Sequence, residues 1–225
     1  MSEGLYKLSA WLSPAYPVGA YTYSHGLEAA IAEGQVIDAA TTEAWITVCL
    51  THGAGRNDAI LLAEAWRAAQ DDEGAPALDE IAALAWALAP SAERLLETEA
   101  MGGAFGEVTA SSWGEGASRT HPTGCRALPY PIAVGVAAAG HGVALDQALV
   151  LYLQAFASNL ISAAVRLVPL GQTEGQQVLA RVMPVCLNIA REAEAATLDD
   201  IGGCAIIADI ASMRHETQDV RLFRS

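Results

Sequence analysis

Gln147-Ala148-Leu149-Val150-Leu151-Tyr152-Leu153-Gln154-Ala155-Phe156-Ala157-Ser158-Asn159-Leu160-Ile161-Ser162-Ala163-Ala164-Val165 runs for nineteen residues without a formal charge. Its length alone is about what a helix needs to cross a bilayer. Polar side chains interrupt it, however, at Gln147, Gln154, Ser158, Asn159 and Ser162. A helix that is apolar nearly all round also belongs at the centre of a large helical bundle. That reading predicts a buried core helix of a soluble protein over Leu145 to Leu167. The stretch Ala127 to Leu145 is uncharged too, but carries Pro129, Pro131 and several glycines, and reads the same way.

Outward from this segment the chain continues as helices, rich in Ala and poor in β-branched alternation. A short apolar helix covers Leu5 to Leu12, and Pro14, Pro17 and Gly19 then break the chain. Gly26 to Glu33 is helical. Thr41-Thr42-Glu43 opens a helix to about His52, stopped by Gly53 and Gly55. Asn57 or Asp58 caps another through Ala69. Leu78 to Leu88 and Ala92 to at least Phe105 follow, and Ser111 to Arg126 reads as a loop or a frayed helix end. Ile132 to Ala139 and Gln172 to Ala195 are helical, with Pro184 inside the latter. Asp199-Asp200 cap a last helix, Ile201 to Met213. The expectation is an all-α fold, a single domain over residues 1–225 with about nine or ten helices and a C-terminal partner-docking tail over 212–225.

Composition narrows function. The chain is 52% apolar and 17% charged, with a net charge of −14. An acidic chain lacks the electrostatic footprint of a nucleic-acid binder and is repelled by anionic lipid; it suits a basic protein or a cation. Lys7 is the single lysine. No GxxxxG precedes it, so no phosphate-binding P-loop can be completed. Cys49, Cys125, Cys186 and Cys204 are widely spaced and form no CxxC pair. Cys49, Cys186 and Cys204 lie in apolar helical surroundings and read as small buried hydrophobes, consistent with a reducing, cytoplasmic setting. Met1-Ser2-Glu3-Gly4 has no basic start of a signal peptide.

Candidate chemistry is thin. His25 and Glu28, three apart, share a helix face, but no second such pair exists for a di-iron site; a capping His beside a surface Glu is the plainer reading. Glu93 and Glu97, four apart, with Glu99 nearby, can be an acid/base set or a solvated face. His215-Glu216 begins like a zinc-protease motif, but Asp219 stands where its second His belongs. His25, His52, His121, His141 and His215 are scattered, so no metal site and no cofactor are expected. The corner Arg166 to Gln176 packs Arg166, Gln172 and Gln176 around Gly171: a polar helix cap, or a rim that receives a partner or the tail. The tail itself, from Arg214 to Ser225, holds three of the twelve basic residues and places Leu222 and Phe223 near its end. A terminus is mobile unless tied down, so these two point to docking on the body or on a partner.

Three stretches together carry a family resemblance. They are Leu12-Ser13-Pro14-Ala15-Tyr16-Pro17-Val18-Gly19-Ala20-Tyr21-Thr22-Tyr23-Ser24-His25-Gly26-Leu27-Glu28, the corner Val168-Pro169-Leu170-Gly171-Gln172, and the ending His215-Glu216-Thr217-Gln218-Asp219-Val220-Arg221-Leu222-Phe223-Arg224-Ser225. In this order the chain resembles the urease accessory protein UreF family, collinearly from about Leu5 to Ser225. Ala20, His25 and Asp219-Val220 depart from the family pattern, and Ala69 to Arg126 matches poorly.

The resemblance implies a helical, non-enzymatic, dimeric co-chaperone. It would bind the scaffold protein UreD (also called UreH) and help recruit the GTPase UreG for nickel insertion into apo-urease. Partner contacts are then expected at Pro17, Gly19, Tyr21, Tyr23, Ser24, Gly26 and Glu28, at Arg166, Gly171, Gln172 and Gln176, and at Arg214, His215, Glu216, Gln218, Arg221, Leu222, Phe223 and Arg224. The tail is expected to dock near Pro17 to Glu28 or the Gln172 corner, to be at most partly ordered alone, and to order on binding. Two alternatives stand beside this. One is a small all-α hydrolase using Glu97, Glu99, His25 or His52, which requires a carboxylate with a raised pKa. The other is a GTPase-activating role with Arg221 or Arg119 as a finger.

Overall fold

The computed structural model describes residues 3–71, 75–114 and 126–224. Arg119, His121, Cys125, Ser225, Asp72 to Gly74 and most of the expected loop before Arg126 lie outside them. Among the described residues the chain is helical, with no strand. The helices are α1 (Glu3–Trp11), α2 (Leu27–Ala32), α3 (Ala39–Thr51), α4 (Ala54–Ala68), α5 (Ala75–Ala87), α6 (Ala92–Trp113), α7 (Tyr130–Gly140), α8 (Leu145–Leu167), α9 (Gln172–Ala195) and α10 (Ile206–His215).

The centre is α8, with the bounds its sequence predicts. It buries Leu149, Tyr152, Leu153, Phe156, Leu160 and Ile161, recurring at three and four residues. It is long and apolar enough to cross a membrane, yet more than half of its most apolar window is buried inside the fold. It packs on α9, α4, α3, α2 and α1. The uncharged helix α7 is buried from Pro131 to Ala138 and lies against α4 and α6. Gly135 permits the α4 approach, since a Cβ there would lie 2.4 Å from the Leu62 carbonyl oxygen.

Several boundaries move. Asp38 caps α3, accepting from the Thr41 amide at 2.8 Å, so the helix starts before Thr41. α3 ends at Thr51, before Gly53, as read, but α4 starts at once at Ala54 and contains Gly55, Asn57 and Asp58. Gly55 serves contact, because a Cβ there would sit 2.8 Å from Leu50 Cα. The last helix starts five residues later than expected. Leu198–Asp200 form a 3-10 turn, and Ile201 to Ala205 stay unwound, with Gly203 in left-handed backbone at φ 86°. Cys49 and Cys186 are buried as read, but Cys204 in this unwound segment is exposed.

Candidate functional site

The broken segment after α1 wraps one end of the bundle. Gly26, at φ 77°, turns the chain into α2. A Cβ on Gly26 would lie 2.6 Å from the Ser212 amide and 2.9 Å from the Ala208 carbonyl oxygen, so the glycine lets α10 rest on the start of α2. Ser212 and Ser91 share a hydrogen bond of 2.6 Å, and the Glu216 carboxylate accepts from the Ala92 amide at 2.7 Å, capping α6. The end of α10 is thus tied to α2 and α6.

The tail beyond it folds back onto the N-terminal segment. The imidazole of His215, fully buried, has Nδ1 at 2.7 Å from Glu93 Oε2 and Nε2 at 3.0 Å from Glu28 Oε2. Glu28 in turn accepts from two successive tail amides, Leu222 at 2.7 Å and Phe223 at 2.9 Å. The Arg224 amide donates to the Thr22 carbonyl at 2.7 Å. Arg221 pairs with Glu93 at 2.5 Å, and Arg214 with Glu33 at 2.9 Å. Phe223 is buried among Leu27, Ala30, Val36, Ala163, Ala164, Val168 and Leu170. The Arg166 guanidinium lies 5.8 Å from its ring centre and donates to the Tyr21 carbonyl at 3.3 Å. The three stretches that carry the resemblance therefore meet: signature, corner and tail build one surface.

The tail is tied to the body at Glu216, Arg221, Leu222, Phe223 and Arg224. This packing also divides the expected contact residues. Glu28, Ser24, Tyr23, Gly26, His215 and Phe223 are buried within the chain's own fold and act as internal fastenings. Pro17, Tyr21, Arg166, Gly171, Gln172, Gln176, Arg214, Glu216, Arg221, Leu222 and Arg224 face outward, with Gly19 and Gln218 half-covered. At the corner, the Glu174 carboxylate rather than an amide side chain accepts from the Gly171 amide, at 2.9 Å.

Behind this surface lies a second polar group. His25 Nε2 is 2.9 Å from Glu97 and 2.8 Å from Arg94 Nη1, and Arg94 pairs with Glu97. Tyr152 Oη donates to Asp58 at 3.0 Å. His25, Asp58 and Arg94 stand between two cavities of about 90 and 350 Å³, lining both. Burial alone would raise Glu97, but Arg94 and His25 outweigh it and hold the carboxyl at about 2. Burial and Arg94 lower His25, leaving it neutral near pH 7. Burial pushes Asp58 up to about 6 against the pull of Arg94 and Tyr152.

Three readings change here. His25 and Glu28 do not act as a pair, since His25 precedes α2 with φ 54° and serves Glu97. Glu93 and Glu97 are no solvated face, each being matched by cations or imidazole from other elements. Of the hydrolase set only His25 and Glu97 meet. Glu97 is held ionised rather than raised, Glu99 pairs with Arg126, and His52 is exposed at the end of α3. The carboxyl raised in this cluster is Asp58, which the sequence marked only as a helix cap. Arg94 and Thr22 were missed as well. The i,i+3 spacing of Arg94 and Glu97 on α6 could have found the first; nothing local announces Thr22, whose partner is the Arg224 amide at the far end of the chain.

The UreF family profile matches residues 36–183. A urease accessory protein UreF from Cereibacter sphaeroides is 52% identical over 225 residues, covering all of both chains. One from Rhodopseudomonas palustris is 50% identical over 226 residues, all of this chain and 92% of its own.

The chain belongs to the UreF family.

The family profile stops short of both the signature and the tail, and the full-length likeness to these UreF proteins extends over them. The stretch from Ala69 to Arg126, whose residues resemble the family pattern poorly, falls inside the profile.

Proposed function

We propose that this UreF-family chain is a urease-maturation co-chaperone. It binds the scaffold protein UreD/UreH and with it recruits the GTPase UreG to apo-urease for nickel insertion. It acts as a homodimer in the cytoplasm, as a binding protein rather than a catalyst. The observation that carries the reading is the docked tail: it joins the family's two terminal signatures into one surface on which Tyr21, Val220 and Leu222 remain 57%, 83% and 64% exposed. Large apolar groups left out beside Arg166 and Arg224 are what a protein interface looks like before its partner arrives. The outward face of α10 adds Ile206, Ile207, Ile210 and Met213, further apolar area for an assembly.

The test is size-exclusion chromatography with light scattering on the chain mixed with UreD/UreH and UreG. The full-length protein is compared with a version ending at Arg221, which keeps His215 and the end of α10. A stable complex with the full-length form, lost in the shortened one, supports the proposal. Failure of the folded full-length form to bind either protein overturns it.

A further inference from the structure

The larger cavity, of about 350 Å³, is walled on one side by chain without regular structure. Gly203, Cys204 and Ala205, in the connector between α9 and α10, line it together with Cys49, Asp58 and Arg94. The connector rests on the corner between α3 and α4. A Cβ on Gly203 would lie 3.2 Å from the His52 carbonyl oxygen, and one on Gly53 would lie 3.1 Å from Ala205 Cβ. It is lightly held there. The amides of Gly203 and Cys204 make no hydrogen bond among the described residues, and both residues are exposed. The Gly202 amide reaches Asn57 Oδ1 at 3.4 Å, and the Gly202 carbonyl accepts from Arg56 at 3.5 Å. Bonds of that length are weak.

The flanks of the connector are fixed. Arg67 donates to the carbonyls that end α9, Glu194 at 2.7 Å and Ala196 at 2.9 Å. The Asp200 carboxylate accepts from the Thr197 amide at 2.9 Å, and Arg56 donates to the Asp200 carbonyl at 2.8 Å. Beyond the connector, α10 is tied to Ser91 through Ser212 and to the Ala92 amide through Glu216. A weakly bonded stretch between two anchored ends is where local opening starts.

We propose that residues 202–205 form a lid, which swings off the α3–α4 corner while α9 and α10 stay in place and admits water and small polar solutes to Cys49, Asp58 and Arg94. Closed, the lid separates a buried guanidinium and a buried carboxyl from bulk water, where their interactions with neighbouring charges are strong. Open, it lets solvent reach both. The device belongs to the single chain and needs no partner.

Cys49 reports the opening. It is 4% exposed, and burial pushes its thiol up to about 12, so it is unreactive while the lid is shut. Cys186, also 4% exposed, sits on α9 against the Leu153 carbonyl of α8 and reports wider unfolding. Cys204 is exposed in the lid itself, so the test uses a Cys125→Ser, Cys204→Ser background. Iodoacetamide labelling is read at each cysteine by mass spectrometry in this background, with R56A and with G202A. R56A removes the charged hydrogen bonds on the connector. G202A restricts the open state, at a position where a Cβ meets nothing within 4 Å and the backbone is not left-handed.

Cys49 is expected to label faster than Cys186 in the background. R56A should speed Cys49 by about tenfold or more, and G202A should slow it by about two- to fivefold. Cys186 labelling and hydrogen-exchange protection of α10 should not change. A shift in the stated direction from either variant supports the lid, so G202A carries the test if R56A does not fold. Cys49 labelling no faster than Cys186 overturns it, as does a Cys49 rate that neither variant shifts in its stated direction. Loss of α10 protection in step with Cys49 labelling overturns it too, because the moving element would then be α10.

Discussion

Glu28 and Phe223 are 195 positions apart in the chain and joined by a 2.9 Å hydrogen bond from the Phe223 amide to the Glu28 carboxylate. The contact lies within one chain. It turns two sequence signatures at opposite termini into one structural element.

Phe223 supplies the apolar half of this fastening. Truncating a buried Phe typically costs about 3–5 kcal/mol, and because the tail is a terminal segment the loss should be local. Phe223→Ala is expected to speed amide exchange over residues 216–224 by about a hundredfold while leaving α8 protection intact. Protection lost equally in α8 would show that the tail belongs to the global folding unit.

Gly26 should tolerate no side chain. Its backbone is left-handed at φ 77°, which costs an L-residue about 1–2 kcal/mol. A Cβ would also press on the backbone of α10 at Ser212 and Ala208. Gly26→Ala is expected to destabilise by at least about 2 kcal/mol in urea unfolding and to loosen α10. A variant as stable as wild type would mean that α10 moves aside without cost.

Arg94 holds the buried carboxylates together. Breaking a buried pair from one side leaves an uncompensated charge, typically costing about 3–5 kcal/mol. Arg94→Met should fall in that range near pH 7, since Glu97 then loses its guanidinium partner and keeps a neutral His25 beside it. A loss below about 1 kcal/mol would show that water reaches the cluster freely through the flanking cavities.

Asp58 should give stability an inverted pH dependence. Its carboxyl is raised to about 6 in the fold, above its unfolded value, so the folded state binds the proton more tightly. The resulting stabilisation is fully present below about pH 4 and is lost as pH rises through about 6. Asp58→Asn removes this dependence. Relative to wild type, its effect should be more favourable at pH 8 than at pH 4, by about 2 kcal/mol. Glu97, held at about 2, acts with the opposite sign: its contribution is present above its unfolded value and is lost as pH falls through about 2. Paired urea titrations of wild type and Asp58→Asn at the two pH values check the sign, and equal differences at both would refute it.

Much of the architecture was legible in the residues. The spans Leu145–Leu167 and Gln172–Ala195 came out with the bounds the structure has, because long periodic segments ended by Pro and Gly are strong local signals. The errors sit where a local signal was overruled. Gly53 does end α3 as read, but Gly55 looks like a breaker and is a contact glycine inside α4. Asp199-Asp200 look like a helix cap, and Gly202-Gly203 keep the chain unwound beyond them. At the site, the motif residues were found but not their division of labour. Glu28 read as a surface group and His215 as a partner contact, and both are buried fastenings, while Tyr21 and Leu222 remain outside.

By itself, the sequence determined the helical class, the burial of α8 and the membership of the three motifs in one family. Helix periodicity, apolar run length and turn chemistry are properties of neighbouring residues, and these need no tertiary information. Only the tertiary structure decided that the motifs converge, that the tail lies docked, and which carboxylates are held ionised and which is pushed up. Those outcomes depend on groups brought together from α2, α4, α6, α8, α10 and the tail. A carboxylate's burial and partners are set by that convergence, not by the residues beside it in the chain.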